Sequence, residues 1–187
     1  MGKKLTATQI KKELADLSKE ELIDFIYRLC KSSGEAADQM NIMLGNDSFV
    51  EEALAEAKKK VRNQFFTKRG FGRLNLSSAK SAITAFKKVC PDPEKVIDLQ
   101  LYYVECGIEF TNALGDISES FYNSMEGMYE TVVKSLIKAK DPERIERFKP
   151  RLQQAVEDTG GIGWGFNDDL SYMFSELEEW CEGQGEQ

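Results

Sequence analysis

The sequence predicts an all-α fold, a single-domain bundle of about seven to nine helices spanning residues 1–187, with a short α-solenoid as the alternative. Three observations carry that expectation. Apolar residues recur at helical spacing along almost the whole chain, no run shows convincing period-two alternation, and the intervening connections are mostly short. No fixed-period repeat is visible, which places the solenoid second. Residues 182–187 read as a disordered tail.

Taken in order, Thr8 precedes a short pattern of Ile10, Leu14 and Leu17. Ser18, with Glu21 three residues on, forms a capping box. Leu22, Phe25, Ile26, Leu29 and Cys30 then fall at i, i+3, i+4, i+7 and i+8, one apolar face of an amphipathic helix. A segment from Glu35 to Leu44 ends at Gly45, and Asp47 or Ser48 is the expected cap of a longer helix whose Val50, Leu54, Ala57, Val61 and Phe65 share a face. Gly70 and Gly72 interrupt the pattern. After a loop from Thr67 to Leu76, Ser77 or Ser78 is expected to open a helix with Ile83, Phe86 and Val89, closed by Pro91, which cannot continue the ladder.

Pro93 suits the first turn of the next helix, about Pro93 to Leu114. Its apolar residues, from Val96 and Ile97 to Ile108 and Phe110, cover well over half the circumference, so it is expected at the centre of the core. Gly115 terminates it. Three further helices follow on Ile117 to Leu136, Ile145 to Val156, and Leu170 to Cys181.

Composition bounds the function. Of 187 residues, 41% are hydrophobic and 30% charged, values of an ordinary globular chain rather than a disordered or disulfide-framework one. No uncharged apolar stretch is long enough to span a bilayer and no signal peptide is evident at the start, so no membrane contact and a cytoplasmic location are the expectations. Histidine is absent, which removes the usual general base, the commonest zinc ligand and every imidazole triad. The four cysteines, Cys30, Cys90, Cys106 and Cys181, are scattered without a C-x-x-C pair and read as structural thiols. The residues call for no cofactor and no metal, and the chain leans away from enzymes. The opening Met1-Gly2-Lys3-Lys4-Leu5-Thr6 fits the short myristoylation pattern, which chance often matches.

Charge is unevenly distributed. Residues 1–50 carry 7 basic and 8 acidic side chains, residues 51–90 carry 10 and 3, and residues 91–187 carry 8 and 21. The segment Lys58, Lys59, Lys60, Arg62, Lys68, Arg69 and Arg73 holds no acid and is interleaved with Phe65, Phe66 and Phe71, a mixture that suits a polyanion such as single-stranded nucleic acid. The plainer reading is a solvated or internally paired basic face. Opposite in sign, Glu94, Asp98, Glu105, Glu109 and Asn112 recur at spacings of 4, 7, 4 and 3, a stripe about 60° wide on the central helix. These acids either face water, pair with the basic segment or a second subunit, or, as Glu105, Glu109 and Asp116, bind a hard cation.

The loop Thr159-Gly160-Gly161-Ile162-Gly163-Trp164-Gly165-Phe166 is glycine-rich but follows a helix, lacks the P-loop ending and is followed by Asp168 and Asp169. It is expected to be a structural turn that tucks Trp164 and Phe166 onto the bundle. If exposed, those two rings form a partner hot spot.

The ordered set Ser18-Lys19-Glu20-Glu21-Leu22, Phe66-Thr67-Lys68-Arg69-Gly70, Cys90-Pro91-Asp92-Pro93, Glu109-Phe110-Thr111-Asn112, Gly115-Asp116-Ile117, Phe121-Tyr122-Asn123-Ser124 and Gly161 to Phe166 resembles an uncharacterised bacterial family of small all-helical proteins, domain of unknown function family 6155, over about Leu17 to Leu170. The resemblance implies a bacterial cytoplasmic protein with a helical fold and supplies no activity, ligand or catalytic residue. The preferred reading is therefore a non-enzymatic helical protein-interaction module, self-associating through opposite charged faces or binding another protein. Nucleic-acid or polyanion binding through residues 58–73 is the first alternative, and an oxygen-ligated metal activity on the acidic helix the second.

Overall fold

A computed structural model describes residues 4–90 and 92–184. Among them are nine helices: α1 (Ala7–Ala15), α2 (Lys19–Ser32), α3 (Gly34–Met43), α4 (Asp47–Phe65), α5 (Leu76–Val89), α6 (Pro93–Leu114), α7 (Glu119–Ala139), α8 (Pro142–Glu157) and α9 (Phe166–Gln184). The fold is all-α, as the periodicity predicts. The chain divides into two compact units, Met1–Phe49 and Val50–Gln187.

Helix boundaries follow local chemistry. Ser18 and Glu21 form the expected capping box of α2, and Thr6 with Gln9 forms another that starts α1 ahead of Thr8. Two expected caps move by a residue or two. Asn46, not Asp47 or Ser48, accepts the Phe49 N–H at 3.2 Å to open α4, and Asn75, not Ser77 or Ser78, accepts the Ser78 N–H at 2.9 Å to open α5. Asparagine can bond the free amides from outside the helix, so it takes the cap and leaves the serines inside. Asp92 caps α6 with Pro93 in its first turn, and Gly115, at φ +88°, closes it. Pro91, expected to end α5, lies outside the described residues, as does the Met1–Lys3 start of the myristoylation pattern. Helix α9 runs to Gln184, so residues 182–184 of the expected tail are helical and 185–187 lie outside the described residues.

In the first unit no residue of α1, α2 or α3 is buried. The face expected to be core on α2 is therefore amphipathic but open. The second unit holds the described core. Helix α6 packs against α5, α7 and α8, while α9 packs against α7 and α8; a helix surrounded on several sides makes this unit a bundle rather than a solenoid. Twelve residues of α6 are buried. Gly107 lets α7 approach so closely that a Cβ there would collide with the Met125 sulfur. Buried hydroxyls tie the same two helices, Tyr103 to Ser124 at 2.7 Å and Thr111 to Tyr122 at 2.8 Å, which satisfies polar atoms that would otherwise be costly to bury.

The expected loop after α4 contains a small antiparallel hairpin, β1 (Phe66–Thr67) and β2 (Gly70–Phe71). Two-residue strands are too short for sequence alternation to show. The hairpin is seated by the Gly72 N–H, which donates to the Phe65 carbonyl at 2.6 Å, and the Leu74 N–H, which donates to Gln64 at 2.7 Å.

Candidate functional site

The acidic stripe of α6 is matched, residue by residue, by cations from the helices on either side. From α4, Lys58 reaches Asp98 at 2.6 Å and Arg62 grips Glu109 with two bonds of 2.8 and 2.9 Å. From α8, Arg151 bonds Asp98 at 2.6 Å and clasps Glu105 at 2.8 and 2.9 Å, while Arg144 and Arg147 converge on Glu94 at 3.3 and 2.5 Å. Asn112, the last member of the stripe, donates instead to the Asp158 carbonyl at 2.8 Å and so anchors the end of α8. Burial alone would push the Asp98 carboxyl up, but Lys58 and Arg151 outweigh it and hold it below its ordinary range. The bidentate Arg62 lowers Glu109 likewise.

These bonds decide between the readings of the stripe. The acids pair within one chain, with the basic segment and with a second cationic stripe, Arg144, Arg147 and Arg151, which sequence reasoning passed over although its i, i+3, i+7 spacing was legible. The hard-cation alternative for Glu105, Glu109 and Asp116 finds no assembled site. Glu105 and Glu109 hold different arginines, Asp116 lies beyond the helix beside the Tyr122 hydroxyl, and among the described residues no cluster could hold a metal ion. Burial pushes the Cys90, Cys106 and Cys181 thiols up, Cys106 to about 11, away from the thiolate form that a nucleophile needs.

The basic segment separates into two sets. Lys58 and Arg62 turn inward to α6, whereas Lys60, Lys68, Arg69 and Arg73 are exposed. Lys59 is exposed too, with a long 3.5 Å contact to Glu56. Phe65 is buried against Tyr103 and Phe110, and Phe71 is half exposed.

The two aromatics of the glycine loop part company. Phe166 is fully buried, which removes it from the expected hot spot, because the first turn of α9 carries it into the core beside Tyr122. Trp164 stays 61% exposed and stacks on Tyr122 at 6.5 Å. Gly161 and Gly165 supply the positive φ angles expected of the turn, and Trp164 itself adopts φ +66°. Beside it, burial and the neighbouring Asp169 raise the Glu126 carboxyl.

The least expected surface lies in the first unit. At 100° per residue the apolar positions of α2, from Phe25 and Leu29 round to Ile23 and Tyr27, span an arc of about 200°, wider than α3 alone can cover. Between α2 and α3 runs a groove of about 420 Å³ lined by Ile23, Ile26, Tyr27, Cys30, Met40, Met43 and Leu44, among others. Met43 and Leu44 are each 73% exposed, Ile23 58% and Tyr27 57%. The heptad-like pattern on α2 was visible in the sequence, but a pattern states which side is apolar and not whether anything covers it.

A family profile described as a family of unknown function (DUF6155) matches residues 5–178. No curated protein and no solved structure matches the chain.

Proposed function

The chain belongs to that family of unknown function, and since membership carries no activity, we propose from the residues that it is a non-enzymatic helical interaction module that pairs with a second copy of itself through the α2–α3 groove. The open apolar groove is the observation that carries the reading. Isolated apolar side chains on a surface need no explanation, whereas a contiguous apolar patch marks an interaction site.

Size and charge favour a second copy as the occupant. Applied to side chains of roughly 200 Å² each, the exposed fractions of the groove residues Ile23, Ile26, Tyr27, Met43 and Leu44 amount to roughly 600 Å², approaching the roughly 800 Å² that each partner contributes to a standard interface. Residues 1–50 carry 7 basic and 8 acidic side chains, so like copies of this unit bring almost no net charge to repel each other. A groove of this kind accepts an amphipathic helix, and α2 is one. A two-fold pairing of α2–α3 hairpins makes a four-helix arrangement with the seams inside.

The opposite charged faces, first expected to join subunits, are already spent on each other within the chain. No helix among the described residues is long and apolar enough to cross a membrane. Four free thiols, two of them buried, support a reducing compartment such as the cytoplasm. The test is sedimentation equilibrium of the wild type beside an Ile23→Glu, Leu44→Glu variant. A concentration-dependent dimer that the variant abolishes with its helicity retained is expected. A wild type monomeric at the highest attainable concentration overturns the reading.

A further inference from the structure

We propose that the outward half of the basic segment, at the C-terminal end of α4 and on the hairpin, is a binding surface for single-stranded nucleic acid, independent of the α2–α3 groove. The folded chain sorts its cations into two populations. Lys58 and Arg62 are held by Asp98 and Glu109, but Lys60, Lys68, Arg69 and Arg73 are exposed and take part in none of the ion pairs among the described residues. A cation left unpaired in a chain of net charge −7 is not short of acids to pair with.

The backbone gathers these four residues. The β1–β2 turn presents Lys68 and Arg69 side by side, its geometry fixed by the Thr67 hydroxyl, which donates to Gly70 at 3.1 Å and accepts from the Arg69 N–H at 3.3 Å. The bonds from Gly72 to Phe65 and from Leu74 to Gln64 then lay the chain back over the last turn of α4, which brings the Arg73 backbone alongside Gln64, one helical turn beyond Lys60.

Among the cations stands one aromatic ring. Phe71 is 51% exposed, braced edge-on by Phe110 at 5.6 Å and by the tilted ring of Phe66 at 6.1 Å, which leaves its other side open. Gly72 enforces that seat, since a Cβ there would collide with the Gln64 carbonyl oxygen. Spaced cations take phosphates, and an oriented ring takes an unstacked base; together they suit a single strand, whose bases are free, better than a duplex.

The test is fluorescence anisotropy of the full chain with a labelled oligothymidylate of about 20 nucleotides. With four phosphate contacts, affinity is expected to fall about 50-fold between about 50 and 200 mM salt. Phe71→Ala is expected to weaken binding about tenfold without altering the salt slope, and Phe71→Trp to restore it. The combined Lys60→Gln, Lys68→Gln, Arg69→Gln, Arg73→Gln variant is expected to lose binding while keeping the wild-type circular dichroism and melting temperature. No binding at low salt overturns the proposal. So does equal affinity for a duplex or for phosphatidylserine vesicles, or Phe71→Ala and Phe71→Trp both binding like wild type.

Discussion

Arg151 bridges two carboxylates, since among the described residues it alone joins α8 to both Asp98 and Glu105. Half-burial sets its worth between that of an exposed pair and that of a buried one. Arg151→Ala is therefore expected to cost about 1–2 kcal/mol, against a few tenths for Lys134→Ala, whose i, i+4 pair with Glu130 is open to water. Urea denaturation of both variants checks the difference, and equal losses would show that the network adds nothing to the fold. The same pairs set the acid limb. Asp98 and Glu109 titrate below their ordinary values in the folded chain, so their contribution is present above about pH 4, the unfolded range, and disappears as pH falls through the folded values. Urea midpoints for wild type and Asp98→Asn, Glu109→Gln are expected to differ at pH 6 and to draw together as pH falls below about 4. Glu126 has the opposite sign: raised in the fold, it weakens the protein once ionised, so Glu126→Gln is expected to stabilise at neutral pH and to be silent in acid.

At the scale of elements, the ion pairs fix how α6 is rotated between α4 and α8, because a stripe about 60° wide meets its partners in only one orientation. Hydrophobic burial does not specify that rotation, as α6 is apolar over most of its circumference. The hairpin depends on Gly72 in a different way. Gly72→Ala drives a Cβ into backbone rather than into a yielding side chain, so it is expected to unseat β1–β2 and to cost about 1–3 kcal/mol. Gly107→Ala, whose Cβ meets the flexible Met125 side chain, is expected to cost less. Thermal unfolding of the two variants reads the order, and the reverse order would contradict this view of the hairpin. The helices, the centrality of α6 and its closure at Gly115 were legible because each rests on a periodicity or a local backbone demand. The hairpin and the Asn46 and Asn75 caps were not, because two-residue strands and single capping bonds leave almost no pattern in a sequence. Only the structure could decide what became of the stripe, since spacing on α6 names a face and not the arginines across from it.

For the whole molecule, the chain resolves into two units of different character. Val50–Gln187 is closed around buried α6, whereas α1–α3 of Met1–Phe49 contain half-buried residues and no fully buried one. Sequence patterning had treated both alike, because amphipathic helices look the same whether the apolar side meets a core, a partner or water. That contrast is the physical ground for placing association in the first unit, where apolar area is still available to be removed from water. The most direct measurement is amide hydrogen exchange of the full chain at two protein concentrations, one well above and one well below the association midpoint. The α2 and α3 amides are predicted to exchange more slowly at the higher concentration, with α6 unchanged. Equal exchange in α2 and α3 at both concentrations, in a sample that dimerises, would contradict the claim by placing the interface elsewhere.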